Sequence, residues 1–151
     1  MFSFYLVLKY IHILAAIIAV GANITYGVWN ARSQSDTAHL GFALKGIKFL
    51  DDRIANPAYG VVLLTGLIMV FVGNWGFKLW TILALILFAV VVAVAVAVYT
   101  PLLSRMIRLV DSGQATSPEF QALIRRNRIV GPAIGGLVAL ILVLMVFKPT
   151  T

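Results

Sequence analysis

The stretch from residue 77 to residue 99 reads FKLWTILALILFAVVVAVAVAVY and contains one charged side chain, Lys78. A helix of about 20 apolar residues crosses a hydrocarbon core of about 30 Å. The β-branched residues of this stretch would favour a strand in water, but in lipid every backbone group has to be hydrogen-bonded within the segment. A strand of a membrane β-barrel would alternate polar and apolar residues, which this stretch does not do. The stretch therefore predicts a transmembrane helix.

Three further apolar segments of similar length occur in the chain. Together with the first stretch they predict four transmembrane spans, at about 2–29, 55–72, 77–99 and 129–147. The short sequence between the second and third spans, GNWG at 73–76, is typical of a tight turn and predicts that these two spans are antiparallel neighbours. We predict one integral membrane domain over residues 1–151, an all-α bundle of four transmembrane helices.

The composition of the whole chain agrees with a membrane protein. Of 151 residues, 62% are hydrophobic and 11% are charged, whereas a soluble domain has about 45–50% and about 25%. This composition excludes an ordinary soluble enzyme, a disordered chain and a nucleic-acid-binding module, so we expect the lipid bilayer and no nucleic acid as a partner. The sequence has no cysteine, which excludes disulfides, iron–sulfur clusters and thiolate zinc sites.

The connection between the first and second spans is amphipathic. From His39 to Ile54 the leucine and isoleucine residues fall on one helical face, and Lys48 and Asp52 lie four residues apart on another, where they can pair. This pattern predicts an interfacial amphipathic helix on the membrane surface. The alternative is a polar linker that contains a helical turn.

The distribution of basic residues predicts the orientation in the membrane. The two long connections hold nine of the twelve Lys and Arg residues, and the opposite side holds three. Basic residues are enriched in cytoplasmic loops. We therefore predict a multi-pass protein of the bacterial inner membrane with both long connections in the cytoplasm and both termini outside.

The first span has one polar and small face. Its members recur at steps of three and four residues and fall within a sector of about 100° on a helix. Exposure of polar groups to lipid is costly, so this face should point into the bundle. The face consists of Tyr5, Lys9, His12, Ala16, Ala19, Asn23, Tyr26 and Asn30.

Lys9 and His12 each have two interpretations. Lys9 either extends its ammonium group to the outer interface or faces a cavity and meets an anionic ligand group. His12 either makes an interhelical hydrogen bond that fixes packing or serves a redox ligand, as an axial haem ligand or as a proton carrier.

Four segments of the sequence resemble one superfamily of small bacterial membrane proteins, in the same order along the chain. That superfamily includes the HemJ-type protoporphyrinogen oxidases and the membrane domain of CopD-type copper-resistance proteins. The chain is most similar to an uncharacterised branch of it, domain of unknown function 2269. The segments are LKYIHILAAIIAVGANI (8–24), NPAYGVVLLTGLIMVF (56–71), GFKLWTILALIL (76–87) and RRNRIVGPAIGGLVALILVLMVFKP (125–149).

The resemblance implies a haem site, because the HemJ-type relatives bind b-type haem and oxidise protoporphyrinogen. By position His12 matches the histidine of their first span, which makes it the candidate metal ligand. The relatives carry a further histidine late in the third span, where this chain reads AVVVAVAVAVYT (89–100). The candidate cofactor-binding residues are His12, Lys9, Asn23, Tyr26, Lys78 and Lys148, with the three lysines placed for the propionates.

Two functional hypotheses follow from the sequence. The first is a membrane protein with a small intramembrane pocket around His12 that binds haem or a related redox ligand. The alternative is a non-enzymatic helical bundle that acts through lipid or protein partners, including a second copy of itself. The sequence contains no nucleophile–base set and no P-loop that would indicate a particular enzyme class.

Overall fold

The computed structural model describes residues 3–73 and 75–149. Residue 2, at the start of the predicted first span, and Asn74, in the predicted turn, lie outside the described residues. The described chain is helical throughout its length apart from short connections. Its helices are α1 (Phe4–Ser35), α2 (Leu40–Leu50), α3 (Asn56–Val72), α4 (Leu79–Val94), α5 (Thr100–Asp111) and α6 (Pro118–Phe147), with a 3₁₀ turn at Thr37–His39.

Two π-helical segments join consecutive helices without a break. Asp51–Ala55 lies between α2 and α3, and Ala95–Tyr99 lies between α4 and α5. Each segment is followed by a residue–proline pair, with Pro57 in α3 and Pro101 in α5. Proline has no N–H and its ring clashes with the carbonyl four residues earlier, so a helix that continues through it widens locally. The two prolines therefore lie in helices that continue through them and widen just before them.

The predicted fold class, an all-α bundle of four transmembrane helices, is confirmed. Four helical stretches in the described chain are long and apolar enough to cross a membrane. Each extends beyond its apolar segment because amphipathic turns continue it. The fourth, for example, begins at Pro118, where the hydroxyl of Ser117 accepts a hydrogen bond from the Phe120 N–H at 3.2 Å. The stretches are Phe4–Ser35, Thr37–Val72, Leu79–Asp111 and Pro118–Phe147.

The bundle has two ends. The start of α1, the connection of α3 to α4 and the end of α6 lie at one end, which we call the terminal side. The helices α2 and α5 and the loop that leads into α6 lie at the other, which we call the connection side. The largest completely buried side chains are Leu44, Ile47, Leu103, Phe120 and Val91. The first four pack α2, α5 and α6 together on the connection side.

The helices differ in how closely they pack. α1 packs along α3, and α4 packs along α6, whereas α1 and α6 touch over a short length only. On the connection side, α2 buries Leu40, Leu44 and Ile47 and packs against α1 and α5. The predicted pair between Lys48 and Asp52 is confirmed, with a separation of 2.5 Å. The interfacial position of α2 stays a prediction.

Candidate functional site

A cavity of about 720 Å³ lies between α1, α3, α4 and α6 in the connection-side half of the bundle. Ligand-binding pockets in proteins have volumes of about 300–1,000 Å³. Ten polar side chains are part of its lining, and we call it the polar cavity. These side chains are Asn23, Tyr26, Asn30, Gln34, Asp51, Asn56, Tyr59, Tyr99, Asn127 and Arg128.

The polar cavity opens sideways between α1 and α6. Its lining there is apolar or small, and it is exposed at the surface of the bundle: Ile24 is 64% exposed and Leu142 is 38% exposed. We call this opening the α1–α6 groove, formed by Ile24, Gly27, Gly135, Ala139 and Leu142. The groove is therefore open at the surface of the described bundle.

Asp51 supplies a carboxylate to the polar cavity. It stands in the first π-helical segment and only 5% of it is exposed. The hydroxyl of Thr100 donates to its Oδ2 at 3.2 Å, and the hydroxyl of Tyr26 lies 3.5 Å from Oδ1. Within the described ranges no Lys, Arg or His nitrogen lies within 4.0 Å of this carboxylate. A buried carboxylate without a cation is unfavourable by several kcal/mol, so the group either takes up a proton or pairs with a cation that a ligand supplies.

Tyr99 adds a second polar group that is not satisfied within the described chain. It stands in the second π-helical segment, where its ring stacks on Tyr26 at a centroid distance of 6.0 Å. Its hydroxyl is buried close to the Asn30 side chain and makes no hydrogen bond of normal geometry to any residue that the structure describes. A buried hydroxyl without a partner is unfavourable by about 1–3 kcal/mol. The carboxylate and the phenol are thus both available to a ligand.

Amide side chains connect the walls of the polar cavity. Asn127, in α6, donates from its Nδ2 to Oδ1 of Asn30 in α1 at 3.1 Å. Asn23 donates to the hydroxyl of Tyr59 in α3 and to the carbonyl of Ala19. These bonds hold α1 at fixed positions relative to α3 and α6 on the connection side.

Arg128 lies at the rim of the polar cavity. It is exposed, and it donates a hydrogen bond to the side-chain oxygen of Gln34 across the end of the α1–α6 groove. Since Asp51 lines the same cavity and is not within 4.0 Å of Arg128, the negative and the positive charge are separated. The polar cavity therefore has an acidic group in its interior and a basic group at its rim.

His12 lies in a different place. It lines a second, mostly apolar cavity of about 90 Å³ in the terminal-side half, together with Met69 and Trp80, and we call this the apolar cavity. Its Nδ1 is 2.9 Å from the hydroxyl oxygen of Thr65. The same hydroxyl lies 2.6 Å from the carbonyl oxygen of Val61, and when it donates its proton there, Nδ1 of His12 is the donor to Thr65. The interaction is an interhelical hydrogen bond between α1 and α3.

The surroundings of His12 do not fit a haem group. The apolar cavity is far smaller than the roughly 300 Å³ at which ligand pockets begin. The imidazole also packs against α3, because a Cβ added to Gly66 would lie 3.1 Å from its Cε1. In residues 3–73 and 75–149 no group of three or more His, Cys, Asp or Glu side chains could hold a metal ion.

The structure divides the six predicted site residues between several places. Asn23 and Tyr26 line the polar cavity, and His12 lines the apolar cavity. The three lysines line neither cavity. Lys9 and Lys78 are exposed, and the ammonium of Lys148 lies 4.3 Å from the ring centroid of Trp75.

The sequence did not point to Asp51 or Tyr99 as site residues. The predicted second span begins at residue 55 and so excludes Asp51, and Tyr99 is the last residue of the predicted third span. A signal for both exists in the residue–proline pairs at Asn56-Pro57 and Thr100-Pro101. Each marks a helix that has to widen over the preceding residues, and such π-bulges often occur at functional sites.

The helices and the polar cavity define a multi-pass α-helical membrane protein with a polar interior site. The family model of DUF2269, described as a predicted integral membrane protein, matches residues 6–149, and the chain belongs to this family. Comparisons with curated proteins and with solved structures give no match. The wider relationship to the HemJ-type and CopD-type proteins stays a prediction.

Proposed function

We propose that the protein binds a membrane amphiphile in the polar cavity, with the polar part of the ligand inside the bundle and its apolar chain in the α1–α6 groove. The observation that carries this proposal is the lining of a single cavity. Asp51 and Tyr99 lie inside it, and exposed apolar residues such as Ile24 form its lateral opening. Such a gradient from polar to apolar matches an amphiphile. The proposal follows the lipid-partner alternative of the two functional hypotheses.

The small residues of the groove support a ligand rather than a close helix–helix contact. A Cβ added to Gly27, Gly131 or Gly135 would meet no atom outside its own helix within 4 Å. Small residues in membrane helices usually allow backbones to approach each other. Here they leave space beside the polar cavity, and we place the acyl chain of the ligand in that space.

For His12 we propose a packing role. Its hydrogen bond to Thr65 ties α1 to α3, as in the first of the two interpretations. The small volume of the apolar cavity gives no support to a redox ligand beside it.

We further propose that the protein lies in the bacterial inner membrane with both termini outside. The excess of Lys and Arg in the two long connections, nine against three, supports this orientation. The polar cavity would then lie in the cytoplasmic half of the bilayer. A homo-oligomer stays a prediction.

Native mass spectrometry tests the proposed binding. The purified protein is exchanged into detergent with a mixture of dioleoyl phospholipids of different headgroups, and the lipids retained per chain are counted. We expect one retained lipid of any headgroup in the wild type. In Gly135→Phe we expect at least a tenfold loss, because the new ring fills the α1–α6 groove.

Gly60→Phe is the matched control. Gly60 also has no atom within 4 Å of an added Cβ, and it lines neither the polar nor the apolar cavity. This variant should retain the lipid as the wild type does. Equal retention by Gly135→Phe and the wild type, or no retained lipid in any of them, would refute binding in the polar cavity.

A further inference from the structure

We infer that the ligand of the polar cavity carries a phosphate ester joined to a primary ammonium group, as in the headgroup of phosphatidylethanolamine. This inference rests on the proposed binding of an amphiphile and names its headgroup. The polar cavity offers two opposite charges in one lining, Asp51 inside and Arg128 at the rim. A ligand with a positive group inside the cavity and a negative group at its rim can pair with both.

The inner charge selects for an ammonium group that can donate hydrogen bonds. A carboxylate accepts at about four positions, and Asp51 receives hydrogen bonds only from the hydroxyls of Tyr26 and Thr100 among the described residues. The remaining positions suit the three N–H donors of a primary ammonium. A quaternary ammonium has no N–H and would leave them empty.

Aromatic rings add to this preference. Tyr26 and Tyr99 stack beside Asp51 with their ring planes 11° apart, and both line the polar cavity. The unpartnered hydroxyl of Tyr99 can accept from the ammonium or donate to an ester oxygen of the ligand. The inner end of the polar cavity therefore provides hydrogen-bonding partners that a purely apolar or anionic headgroup would leave unused.

The outer charge is placed at the depth of a lipid phosphate. Arg128 directly precedes the apolar segment 129–147 of α6, which puts its guanidinium at the level of the membrane interface. Its bond to Gln34 uses one of five N–H donors. An arginine presents the others in a planar fork that suits a phosphate oxygen pair.

The groove completes the fit to a lipid rather than to a soluble headgroup. From Arg128 the lining continues along α6 through Gly135 and Ala139 to Leu142, and along α1 to Ile24. This path runs from the interface toward the middle of the bilayer. Acyl chains attached to the phosphate would follow it.

A series of N-methylated lipids tests the inference on the unaltered protein. Dioleoyl phosphatidylethanolamine, its N-monomethyl and N,N-dimethyl derivatives, phosphatidylcholine and phosphatidylglycerol compete at equal concentration, and native mass spectrometry reports the occupancy of each. We expect occupancy to fall with each methyl group and to differ about tenfold between phosphatidylethanolamine and phosphatidylcholine, the effect of a charge-assisted hydrogen bond. Phosphatidylglycerol, which has no ammonium, should be as weak as phosphatidylcholine.

Paired variants assign the preference to the two charges. Asp51→Asn should abolish the preference for phosphatidylethanolamine, whereas Asp52→Asn, at an exposed neighbour, should keep it. Arg128→Gln should lower the occupancy of every phospholipid, whereas Arg126→Gln, at an exposed site outside the polar cavity, should not.

Two results would overturn the inference. Equal occupancy along the methylation series would leave amphiphile binding intact and remove the ammonium from it. Displacement of the bound lipid by soluble phosphoethanolamine at equal concentration would show that the headgroup alone is the ligand. Loss of lipid from Gly135→Phe, with retention by the wild type and Gly60→Phe, distinguishes these results from failure of the proposed function.

Discussion

The two halves of the bundle are formed by the same four long helices, yet they treat buried polar groups differently. In the terminal-side half, His12 and Thr65 satisfy each other across α1 and α3, beside a cavity of about 90 Å³. In the connection-side half, Asp51 and Tyr99 face a cavity of about 720 Å³ with part of their hydrogen-bonding capacity unused. The buried hydroxyl of Thr81, which lines the apolar cavity, also has no partner among the described residues. The comparison therefore teaches that an unsatisfied polar group indicates a site only where a cavity of ligand size lies beside it.

Aromatic packing closes the terminal-side half. The ring of Trp75 lies 5.8 Å from that of Tyr5 and 5.4 Å from that of Trp80, and the ammonium of Lys148 covers it. This cluster connects the start of α1, the α3–α4 connection and the end of α6. On the connection side, glycine residues leave space between α1 and α6 instead.

The largest expected effect is that of membrane orientation on the chemical labelling of single introduced cysteines, because a cysteine on one side of the membrane is either labelled or not labelled. The sequence contains no cysteine, so a single introduced cysteine is unique. We expect Ser112→Cys to react with an impermeant maleimide only from the cytoplasmic side and Phe77→Cys only from outside. The reverse pattern would place the polar cavity in the outer half of the bilayer.

The same substitution should have opposite effects in the two halves. In Gly73→Ala the new Cβ would lie 2.7 Å from the backbone carbonyl oxygen of Met69 and 2.8 Å from the ring of Tyr5, so we expect a loss of about 2 kcal/mol in the free energy of unfolding. In Gly135→Ala the Cβ meets no atom within 4 Å, and alanine favours the helix by about 1 kcal/mol.

Unfolding in sodium dodecyl sulfate measures both changes. Gly27→Ala serves as a second position in the groove, with the same expected sign as Gly135→Ala because its Cβ is equally free. If Gly135→Ala destabilises the protein as strongly as Gly73→Ala, the α1–α6 groove is closed in the membrane.

The next largest effect is expected from removing the hydrogen bond that links α1 and α6 across the polar cavity. Asn127 is 8% exposed and donates to Asn30 at 3.1 Å. Asn127→Leu should lower the free energy of unfolding by about 1 kcal/mol, because it removes the donor and leaves the amide oxygen of Asn30 unpaired. Gln121→Leu, at an exposed position of the same helix, is the control and should change it little.

The smallest effect is expected from removing the hydrogen bond of His12. A double-mutant cycle of His12→Leu and Thr65→Val should give a coupling energy of about 0.6 kcal/mol, the average for interhelical hydrogen bonds in membranes. A coupling near zero would mean that His12 does not bond to Thr65 and would reopen the question of its role.

The sequence predicted the four helices because length and apolar continuity in lipid decide helix formation. It also predicted the polar face of the first span, of which Asn23, Tyr26 and Asn30 line the polar cavity. These residues could be found because a helix has a fixed period and polar groups avoid lipid.

Asp51 and Tyr99 could not be placed from the sequence in this way. Their positions depend on the widening of two helices before Pro57 and Pro101, which turns residues near the membrane boundary into the bundle. The volume beside them depends on how far α1 and α6 stand apart, and no local pattern encodes that distance. His12 could be identified as a candidate from the sequence because histidine is rare in membrane spans. Its partner Thr65 could not, because it is 53 residues away in sequence.

The most direct test maps where a bound lipid lies. Phosphatidylethanolamine with a photoactivatable diazirine in its acyl chain is crosslinked to the protein in nanodiscs, and the labelled residues are identified by mass spectrometry. We predict labelling concentrated at Ile24, Gly135, Ala139 and Leu142, along the α1–α6 groove. Labelling spread evenly over exposed residues on the other faces of the bundle, such as Leu64 and Ile86, would contradict the proposed site.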